Sequence, residues 1–259
     1  MNLVRLARSV VRSAMLAGMF VEAGAELLLK RPSTREQRAD WLHRFCARSL
    51  RRMGITVHVE GAFPERGALI TNHQSYLDIV VLASLHRCVF VSKAELAKTP
   101  VLGWMTTMSG TVFVERGRGG SAMRASSGMK AASEAGLPVV FFPEGTTTDG
   151  REMLPFRSGL LAQVMLGEEP ITAGYVRYSM PANNGEDVSV AENVAWGDLP
   201  MFTHVFRFLG LRGVHAEVCF ASEPIAFSSD VLHRKAAAVE ARAAVSALAA
   251  EPCFAESRL

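Results

Sequence analysis

The stretch Ala68-Leu69-Ile70-Thr71-Asn72-His73-Gln74-Ser75-Tyr76-Leu77-Asp78-Ile79-Val80-Val81-Leu82-Ala83 holds a polar run between two apolar segments. The first apolar segment, residues 68–70, predicts a short buried strand, and the second, residues 79–83, predicts the start of a buried helix. A histidine and a carboxylate therefore fall at a strand-to-helix junction, where side chains can face a cleft instead of the core. The rest of the chain is organised around this junction.

The carboxylate at this junction has two interpretations. His73 could act as a general base, with Asp78 holding the other ring nitrogen in the right tautomer and stabilising the imidazolium that forms. Ser75 and Asp78 also fit a capping box, with Ser75 as the N-cap and Asp78 at the third helical position. Spacing alone favours the cap by about two to one, because a histidine and an aspartate at this spacing recur by chance. The two interpretations are compatible, since a cap carboxylate can also face His73.

Composition indicates a globular protein with a substantial core. The chain has 259 residues, of which 49% are apolar and 20% charged. This length predicts one large domain, or one domain with a small helical annex. Four scattered cysteines form no CxxC pair, which favours reduced thiols in a cytosol-facing protein and predicts no metal site. They are Cys46, Cys88, Cys219 and Cys253.

Charge is distributed unevenly along the chain. Residues 1–52 hold 11 Lys/Arg and 4 Asp/Glu, a net charge of +7, and the remainder holds 17 Lys/Arg against 21 Asp/Glu, a net charge of −4. Nucleic acid and an anionic membrane surface are the candidate partners for such a basic front end. The basic segments lack the interleaved aromatic residues expected for single-strand binding, so we expect no nucleic acid.

Residues 2–30 predict a helix with one basic and one apolar face. Three arginines follow one another at three- and four-residue spacing; they are Arg5, Arg8 and Arg12. Residues 14–29 are almost long enough to span a bilayer, but Glu22 and Glu26 would be costly in its core. We therefore expect a helix lying in the membrane interface, with its arginines toward the lipid head groups and its apolar face inward. A helix that packs on the body of the protein is the alternative.

A second basic helix is predicted from about Thr34 to Met53, and Gly54 ends it. Beyond it, strand patterns alternate with helix patterns, which predicts an α/β fold with a central, mostly parallel sheet flanked by helices, preceded by an N-terminal amphipathic helical hairpin. Loops are predicted around Pro100 and Gly103 and over residues 183–200. Ligands of such sheets bind near the strand ends.

Three polar segments follow predicted strands and could converge on one cleft; they lie around His73, Arg116 and Glu144. After the second of these strands, residues 117–122 match the dinucleotide-binding pattern GxGxxA, but the unit lies mid-chain after a charged pair, which argues against a dinucleotide site. An anion-binding turn that uses Arg116 and Arg118 is the better interpretation. The sequence has no GxSxG elbow, Walker A loop or HExxH helix.

The polar segments together resemble the glycerolipid acyltransferase family, which includes bacterial 1-acylglycerol-3-phosphate acyltransferase. Residues 72–78 resemble its NHxxxxD motif, residues 110–116 its GxxFxxR motif, and residues 142–146 its FPEGT motif. A fourth element, a proline within an apolar strand, is matched loosely by Pro170. The resemblance covers roughly residues 55–180. It divides the chain into basic membrane-docking helices over 1–53 and an acyltransferase domain over 54–259.

What the resemblance implies is acyl transfer from a thioester to the hydroxyl of a lysolipid. His73 would deprotonate the acceptor hydroxyl, which attacks the thioester carbonyl directly, and Asp78 would orient His73. The remaining expected site residues would bind the acceptor; they are Lys93, Arg116, Glu144, Gly145 and Thr146. The donor would be acyl-CoA or acyl-carrier protein, with no cofactor and no metal. The enzyme would lie at the cytoplasmic face of the membrane as a peripheral or monotopic protein.

One departure from the family bears on the acceptor. The resemblance implies 1-acylglycerol-3-phosphate as acceptor and phosphatidic acid as product. Many family members have an arginine after the EGT sequence, but this chain has Thr147, followed two residues later by Asp149. Loss of a cation and gain of a carboxylate weaken the selection of a doubly charged phosphate. Another lysolipid, such as lyso-ornithine lipid, is therefore the alternative acceptor, and a non-catalytic membrane-binding protein is the alternative from another class.

Overall fold

The computed structural model describes residues 2–98, 102–115, 121–185, 188–197, 199–229 and 231–250. The helices are α1 (Leu3–Lys30), α2 (Arg35–Met53), α3 (Leu77–Leu85), α4 (Leu102–Met108), α5 (Ser121–Glu134), α6 (Ser158–Leu166), α7 (Val190–Asn193), α8 (Met201–Leu209) and α9 (Arg234–Leu248). The strands are β1 (Ile55–Glu60), β2 (Ala68–Ile70), β3 (Val89–Lys93), β4 (Val112–Val114), β5 (Val139–Phe141), β6 (Ile171–Ser179) and β7 (Val214–Phe220). Short 3₁₀ helices cover Ala94–Lys98, Ala182–Asn184 and Val231–His233.

The strands form one sheet in the order β1-β7-β6-β2-β5-β3-β4. All neighbouring strands are parallel except β6 and β7, which are antiparallel. The predicted α/β fold with a mostly parallel sheet is therefore confirmed. Strand β2 lies between β6 and β5, so the polar run that follows it enters the middle of one sheet edge.

Apolar side chains cover both faces of the sheet. One core layer packs β2, β5 and β6 against α5, α6 and α9, and the other packs the opposite face against α2, α3 and α8. This arrangement explains why residues 137–142 read as a continuous apolar run, as expected of a parallel strand that is buried on both sides.

The loop predicted around Gly103 contains structure that the sequence pattern did not indicate. A 3₁₀ turn and α4 occupy this region, and Met105 of α4 packs with Ala23, Leu27 and Trp41 of the first two helices. A helix of this length is too short to show a clear hydrophobic period, and tertiary packing stabilises it. Residues 183–200 likewise contain a short helix, α7.

The orientation of α1 differs from the expectation that its arginines face lipid. Arg8 donates to the Gly210 carbonyl at 2.8 Å, and Arg12 donates to the Leu211 carbonyl at 2.6 Å. Arg5 donates to the side chain of Asn193. Carbonyls at the C-terminal end of a helix such as α8 attract cations, which explains this contact. The basic face of α1 therefore packs on the body of the protein, and the prediction that it faces head groups is wrong.

The carboxylates of α1 are paired with α2. Arg52 lies 2.5 Å from Glu22, and Arg48 lies 2.8 Å from Glu26. The two helices form the predicted hairpin, and a capping box at Thr34 begins the second one. Ion pairs between the helices therefore engage part of the basic face of α2 that sequence reasoning assigned to a lipid surface.

The outer face of α1 is apolar. Every exposed residue between Leu3 and Val21 is apolar or glycine, and several large side chains are more than half exposed: Leu3, Val4, Val10, Val11, Val21, Leu28 and Leu29. Within the described part of the chain, no helix is both long and apolar enough to cross a bilayer.

Candidate active site

The polar run after β2 is fixed by hydrogen bonds to neighbouring strands. Asn72 is 3% exposed, and its side chain both donates to and accepts from the backbone of Val176, at 2.9 and 2.8 Å. The side-chain amide of Asn72 thus pairs with the β6 backbone in the way that a neighbouring strand would. Gln74 also donates to the Val176 carbonyl, at 3.1 Å. His73, between these two anchors, is consequently held at the sheet edge.

His73 and Asp78 are in direct contact. His73 Nδ1 lies 2.8 Å from Asp78 Oδ2, and the imidazole stacks on the Phe142 ring with centroids 3.8 Å apart. Because a carboxylate only accepts hydrogen bonds, Nδ1 carries the proton and Nε2 carries the lone pair. The His73 side chain is 13% exposed, and Nε2 has no partner among the described residues. This is the geometry that a general base requires.

The Asp78 carboxylate is fully buried and accepts four hydrogen bonds. Besides His73, the N–H groups of Gln74 and Ser75 donate to Oδ2 at 2.8 and 2.9 Å, and the Tyr178 hydroxyl donates to Oδ1 at 2.6 Å. A carboxylate only accepts hydrogen bonds, so all four donors point at its oxygens, which lie behind the imidazole where they can stabilise the imidazolium.

These contacts include features of both interpretations of Asp78, as the partner of a general base and as a helix-capping carboxylate. Asp78 accepts the Ser75 N–H, as the capping box requires, while it also holds His73. The helix itself begins at Leu77 with Tyr76 as the N-cap residue and without a side-chain cap bond, so the prediction of Ser75 as N-cap is wrong. Ser75 Oγ instead accepts from the N–H of Leu77 at 3.3 Å.

Glu144 connects the two halves of the site from a buried position. Its Oε1 accepts the His73 N–H at 2.7 Å, and its Oε2 accepts the Leu154 N–H at 2.7 Å. Burial raises the pKa of Glu144, while these two backbone donors act in the opposite direction. Only 2% of the residue is exposed. In the structure Glu144 thus holds backbone segments in place, and the direct acceptor contact implied for it remains a prediction.

The turn after β5 wraps around His73. Gly145 has a φ of +72°, which favours glycine, and its N–H donates to the Phe142 carbonyl at 3.0 Å. Thr148 N–H then donates to the His73 carbonyl at 3.0 Å. Both backbone polar groups of His73 are therefore bound by residues 144–148, and this segment determines where the base lies.

The other expected substrate-binding residues lie at the same sheet edge where they are described. Lys93 is the last residue of β3, next to β5, and is exposed, as is Thr146. Arg116 and the turn residues 117–120, including Arg118, lie outside the described residues. The structure therefore brings His73, Asp78 and the 144–148 turn together, with Lys93 on a neighbouring strand.

Sequence reasoning missed two residues of this site. Tyr178 lies 100 positions after Asp78, on the apolar face of β6, where the pattern indicates only core; its hydroxyl is the signal, because a buried tyrosine needs a partner. Arg157 precedes α6 and donates through Nε to the Glu144 carbonyl at 3.2 Å. It places an exposed cation beside the turn that lacks an arginine at position 147.

The cysteines offer no competing nucleophile among the described residues. Burial raises the pKa of Cys46 to about 12 and also raises that of Cys88, and Cys219 is buried in β7. A histidine held by a buried carboxylate at the edge of a mostly parallel sheet is an arrangement that can activate a hydroxyl, as enzymes of group transfer and hydrolysis do.

Comparisons with known proteins identify the family. An acyltransferase family model matches residues 54–176. The lyso-ornithine lipid O-acyltransferase of Rhodobacter capsulatus is 35% identical over 203 residues, covering 74% of this chain and 70% of that protein. The protein of the same name from Pseudomonas aeruginosa is 32% identical over 211 residues, covering 79% and 75%. The chain therefore belongs to the acyltransferase family, as its motifs indicated, and it is an acyltransferase.

A solved structure supports the fold. The crystal structure of the 1-acyl-sn-glycerophosphate acyltransferase PlsC from Thermotoga maritima matches with a TM-score of 0.61 and 20% identity, covering 94% of this chain and 98% of that one.

Proposed function

We propose that the protein is a lysolipid O-acyltransferase in which His73 and Asp78 activate the acceptor hydroxyl. The observation that carries the proposal is the contact of His73 Nδ1 with a fully buried Asp78, which leaves Nε2 free to take a proton. The acceptor hydroxyl loses its proton to Nε2 and attacks the thioester carbonyl. The C–S bond then breaks, and the leaving thiolate takes the proton from the His73 imidazolium, which regenerates the base. Acyl-CoA or acyl-carrier protein supplies the acyl group, and no cofactor or metal takes part.

We infer that the acceptor is lyso-ornithine lipid. Relatives with that name are among the most similar proteins, and its zwitterionic head group suits the turn next to His73. Thr147 contributes no charge there. The exposed carboxylate of Asp149 lies 3.5 Å from Arg151 Nε, and an ammonium group of the acceptor would compete with that guanidinium for it. The guanidinium of Arg157, held by Glu144, could meet the head group's carboxylate. 1-Acylglycerol-3-phosphate, with its doubly charged phosphate, is the competing acceptor.

The test is acyl transfer from labelled acyl-CoA or acyl-carrier protein to a panel of lysolipids by the purified protein. The panel contains lyso-ornithine lipid, 1-acylglycerol-3-phosphate and lysophosphatidylcholine. Ester formation with lyso-ornithine lipid as the best acceptor is expected. Preference for 1-acylglycerol-3-phosphate would overturn the acceptor assignment alone. Absence of transfer to every acceptor would overturn the proposal and favour a non-catalytic membrane-binding protein.

Thr147→Arg is expected to change acceptor preference. A cation added one residue before Thr148, whose N–H binds the His73 carbonyl, lies near the path of the head group. We expect the ratio of kcat/KM for 1-acylglycerol-3-phosphate over lyso-ornithine lipid to rise by about tenfold or more, the usual worth of a charge-assisted hydrogen bond. Ser222→Arg adds the same charge at an exposed loop after β7, near the opposite sheet edge, and should leave the ratio unchanged. An equal ratio in both variants would contradict this position for the head group.

We propose that the enzyme docks peripherally on the cytoplasmic face of the membrane through the outer face of α1. This helix is about 42 Å long at the usual rise per residue, and its exposed side chains from Leu3 to Val21 are uncharged. Burial of such a stripe in the head-group boundary stabilises the bound state. Arg5, Arg8 and Arg12 bind the rest of the protein, so contact of apolar side chains with lipid is the main force that holds α1 on the membrane. Anionic lipids would attract the remaining exposed cations.

Val11→Asp should weaken this docking. Val11 is 62% exposed, so the substitution places a charge on the outer face of α1 without disturbing the core. We expect cosedimentation with phosphatidylcholine–phosphatidylglycerol vesicles to fall by about tenfold or more, given the transfer energies of a valine and a carboxylate. The matched control is Val239→Asp, at a residue of α9 that is 69% exposed. If both variants bound vesicles like the wild type, α1 would not be the docking surface.

A further inference from the structure

The acidic partner of His73 is itself held by a residue from a distant strand. Tyr178 is 5% exposed, and its hydroxyl donates to Asp78 Oδ1 at 2.6 Å. The oxygen that it binds is not the one that binds His73, since Nδ1 and the two backbone N–H groups all contact Oδ2. The two oxygens of Asp78 therefore have different tasks: Oδ2 holds the base and the loop, and Oδ1 is held by β6.

Burial, and next the negative charge of Asp78, raise the pKa of Tyr178 well above its usual value. The phenol therefore stays protonated over the working range of an enzyme and always acts as a donor. A donor to Oδ1 withdraws negative charge from the carboxylate, so less charge is available at Oδ2 to stabilise the imidazolium. It also fixes the rotation of the carboxylate about its side-chain bond, so that Oδ2 points at Nδ1.

We propose that Tyr178 is a positioning residue of the acyl transfer, which orients Asp78 and limits how strongly Asp78 holds the protonated form of His73. The inference rests on the proposed function, in which His73 takes the acceptor's proton. Among the described residues, Glu144 from the turn after β5 interacts electrostatically with His73 and Asp78, and Tyr76 from the polar run interacts with Tyr178. Neither donates to Oδ1.

Tyr178→Phe tests this role, because it removes the hydroxyl and keeps the ring in the core. At neutral pH we expect kcat/KM to fall about tenfold, the typical worth of a hydrogen bond to a charged group, mainly through kcat and with the acceptor KM little changed. The acidic limb of the kcat/KM–pH profile should move to higher pH by about half a unit or more, because the unshared charge on Asp78 stabilises the imidazolium. Tyr175→Phe, on the same strand but the opposite face, should keep the limb in its wild-type position.

A purely structural role for Tyr178 would give a different result. Activity would then fall in proportion to the loss of folded protein in a thermal unfolding measurement, and the limb would stay in place; that outcome overturns the proposal. A second measurement is the double-mutant cycle with Asp78→Asn. If Tyr178 acts through Asp78, Tyr178→Phe should change the residual rate of Asp78→Asn by less than about twofold. A fully additive tenfold loss would contradict the inference.

The wild-type assay distinguishes failure of the role inferred for Tyr178 from failure of the proposed acyl transfer. A wild-type enzyme that transfers no acyl group to any lysolipid overturns the proposed function. If the wild-type enzyme transfers the acyl group but Tyr178→Phe leaves the acidic limb of the kcat/KM–pH profile in place, only the role of Tyr178 is overturned.

Discussion

His73→Ala is expected to lower kcat for acyl transfer by about 10³-fold or more while the protein stays folded, since general base catalysis typically contributes 10² to 10⁴. The imidazole is the group whose Nε2 is free to accept the acceptor's proton, and no other histidine lies against Asp78 in the described part of the chain. The loss should appear in kcat for every acceptor, because proton removal is common to all of them. Initial rates with a labelled thioester at saturating acceptor measure it.

The fold should survive this substitution because the contacts that hold the loop do not depend on the imidazole. The backbone of His73 keeps its bonds to Glu144 and Thr148, and Asp78 keeps three of its four donors. His58→Ala is the matched control, because His58 lies on β1 and its exposed ring forms a hydrogen bond with no side chain but Glu60 among the described residues. Turnover of His73→Ala comparable to that of His58→Ala would show that His73 is not the base.

Asp78→Asn is expected to be nearly as severe, with a loss of about 10³-fold in kcat, by analogy with the aspartate of serine protease triads. The amide keeps the shape of the side chain but removes the negative charge behind His73. It also places an N–H₂ group among four donors, so at least one hydrogen bond to a buried group is lost. Stability should fall by about 1–3 kcal/mol for that reason.

Comparison with a second variant separates catalysis from helix capping. Ser75→Ala removes the hydroxyl that accepts the Leu77 N–H and leaves the carboxylate intact. It should cost about 1 kcal/mol of stability, the typical net worth of one hydrogen bond, with turnover within a few-fold of wild type. If Asp78→Asn behaved like Ser75→Ala, with a stability loss and near-normal turnover, Asp78 would be a structural residue only.

The part of the site that could be predicted from sequence is the part built from local contacts. His73 and Asp78 lie five residues apart at a strand-to-helix junction, so their contact is local in the sequence and was one of the two interpretations that the spacing allowed. The order of strands and helices was predictable for a similar reason, because each element carries its own hydrophobic period. The fold class therefore followed from the pattern.

Contacts between distant segments could not be predicted in this way. The acceptor contact expected of Glu144 stays a prediction, but the bonds of its carboxylate to the backbone of His73 and Leu154 join segments that are far apart in the sequence. Tyr178 reads as a core residue of a buried strand, and only the register of β6 beside the polar run shows that its hydroxyl reaches Asp78. Such contacts depend on sheet order, which the sequence pattern leaves open.

The first helix shows a different limit of sequence patterns. Amphipathicity predicts that α1 has a basic and an apolar face, but it does not say which face meets the protein. The carbonyls of Gly210 and Leu211 at the end of α8 attract the arginines, and the apolar face is left outside. A basic face therefore need not indicate the side of a helix that meets lipid.

The most direct test of the mechanism is a measurement, in the same reaction, of thiol released from the acyl donor and ester formed on the lysolipid acceptor. Direct attack by a hydroxyl that His73 deprotonates predicts one ester for each thiol and no thiol release without acceptor, with both products falling together in His73→Ala. A burst of thiol release in the absence of acceptor, stoichiometric with enzyme, would instead show an acyl-enzyme intermediate and contradict direct transfer.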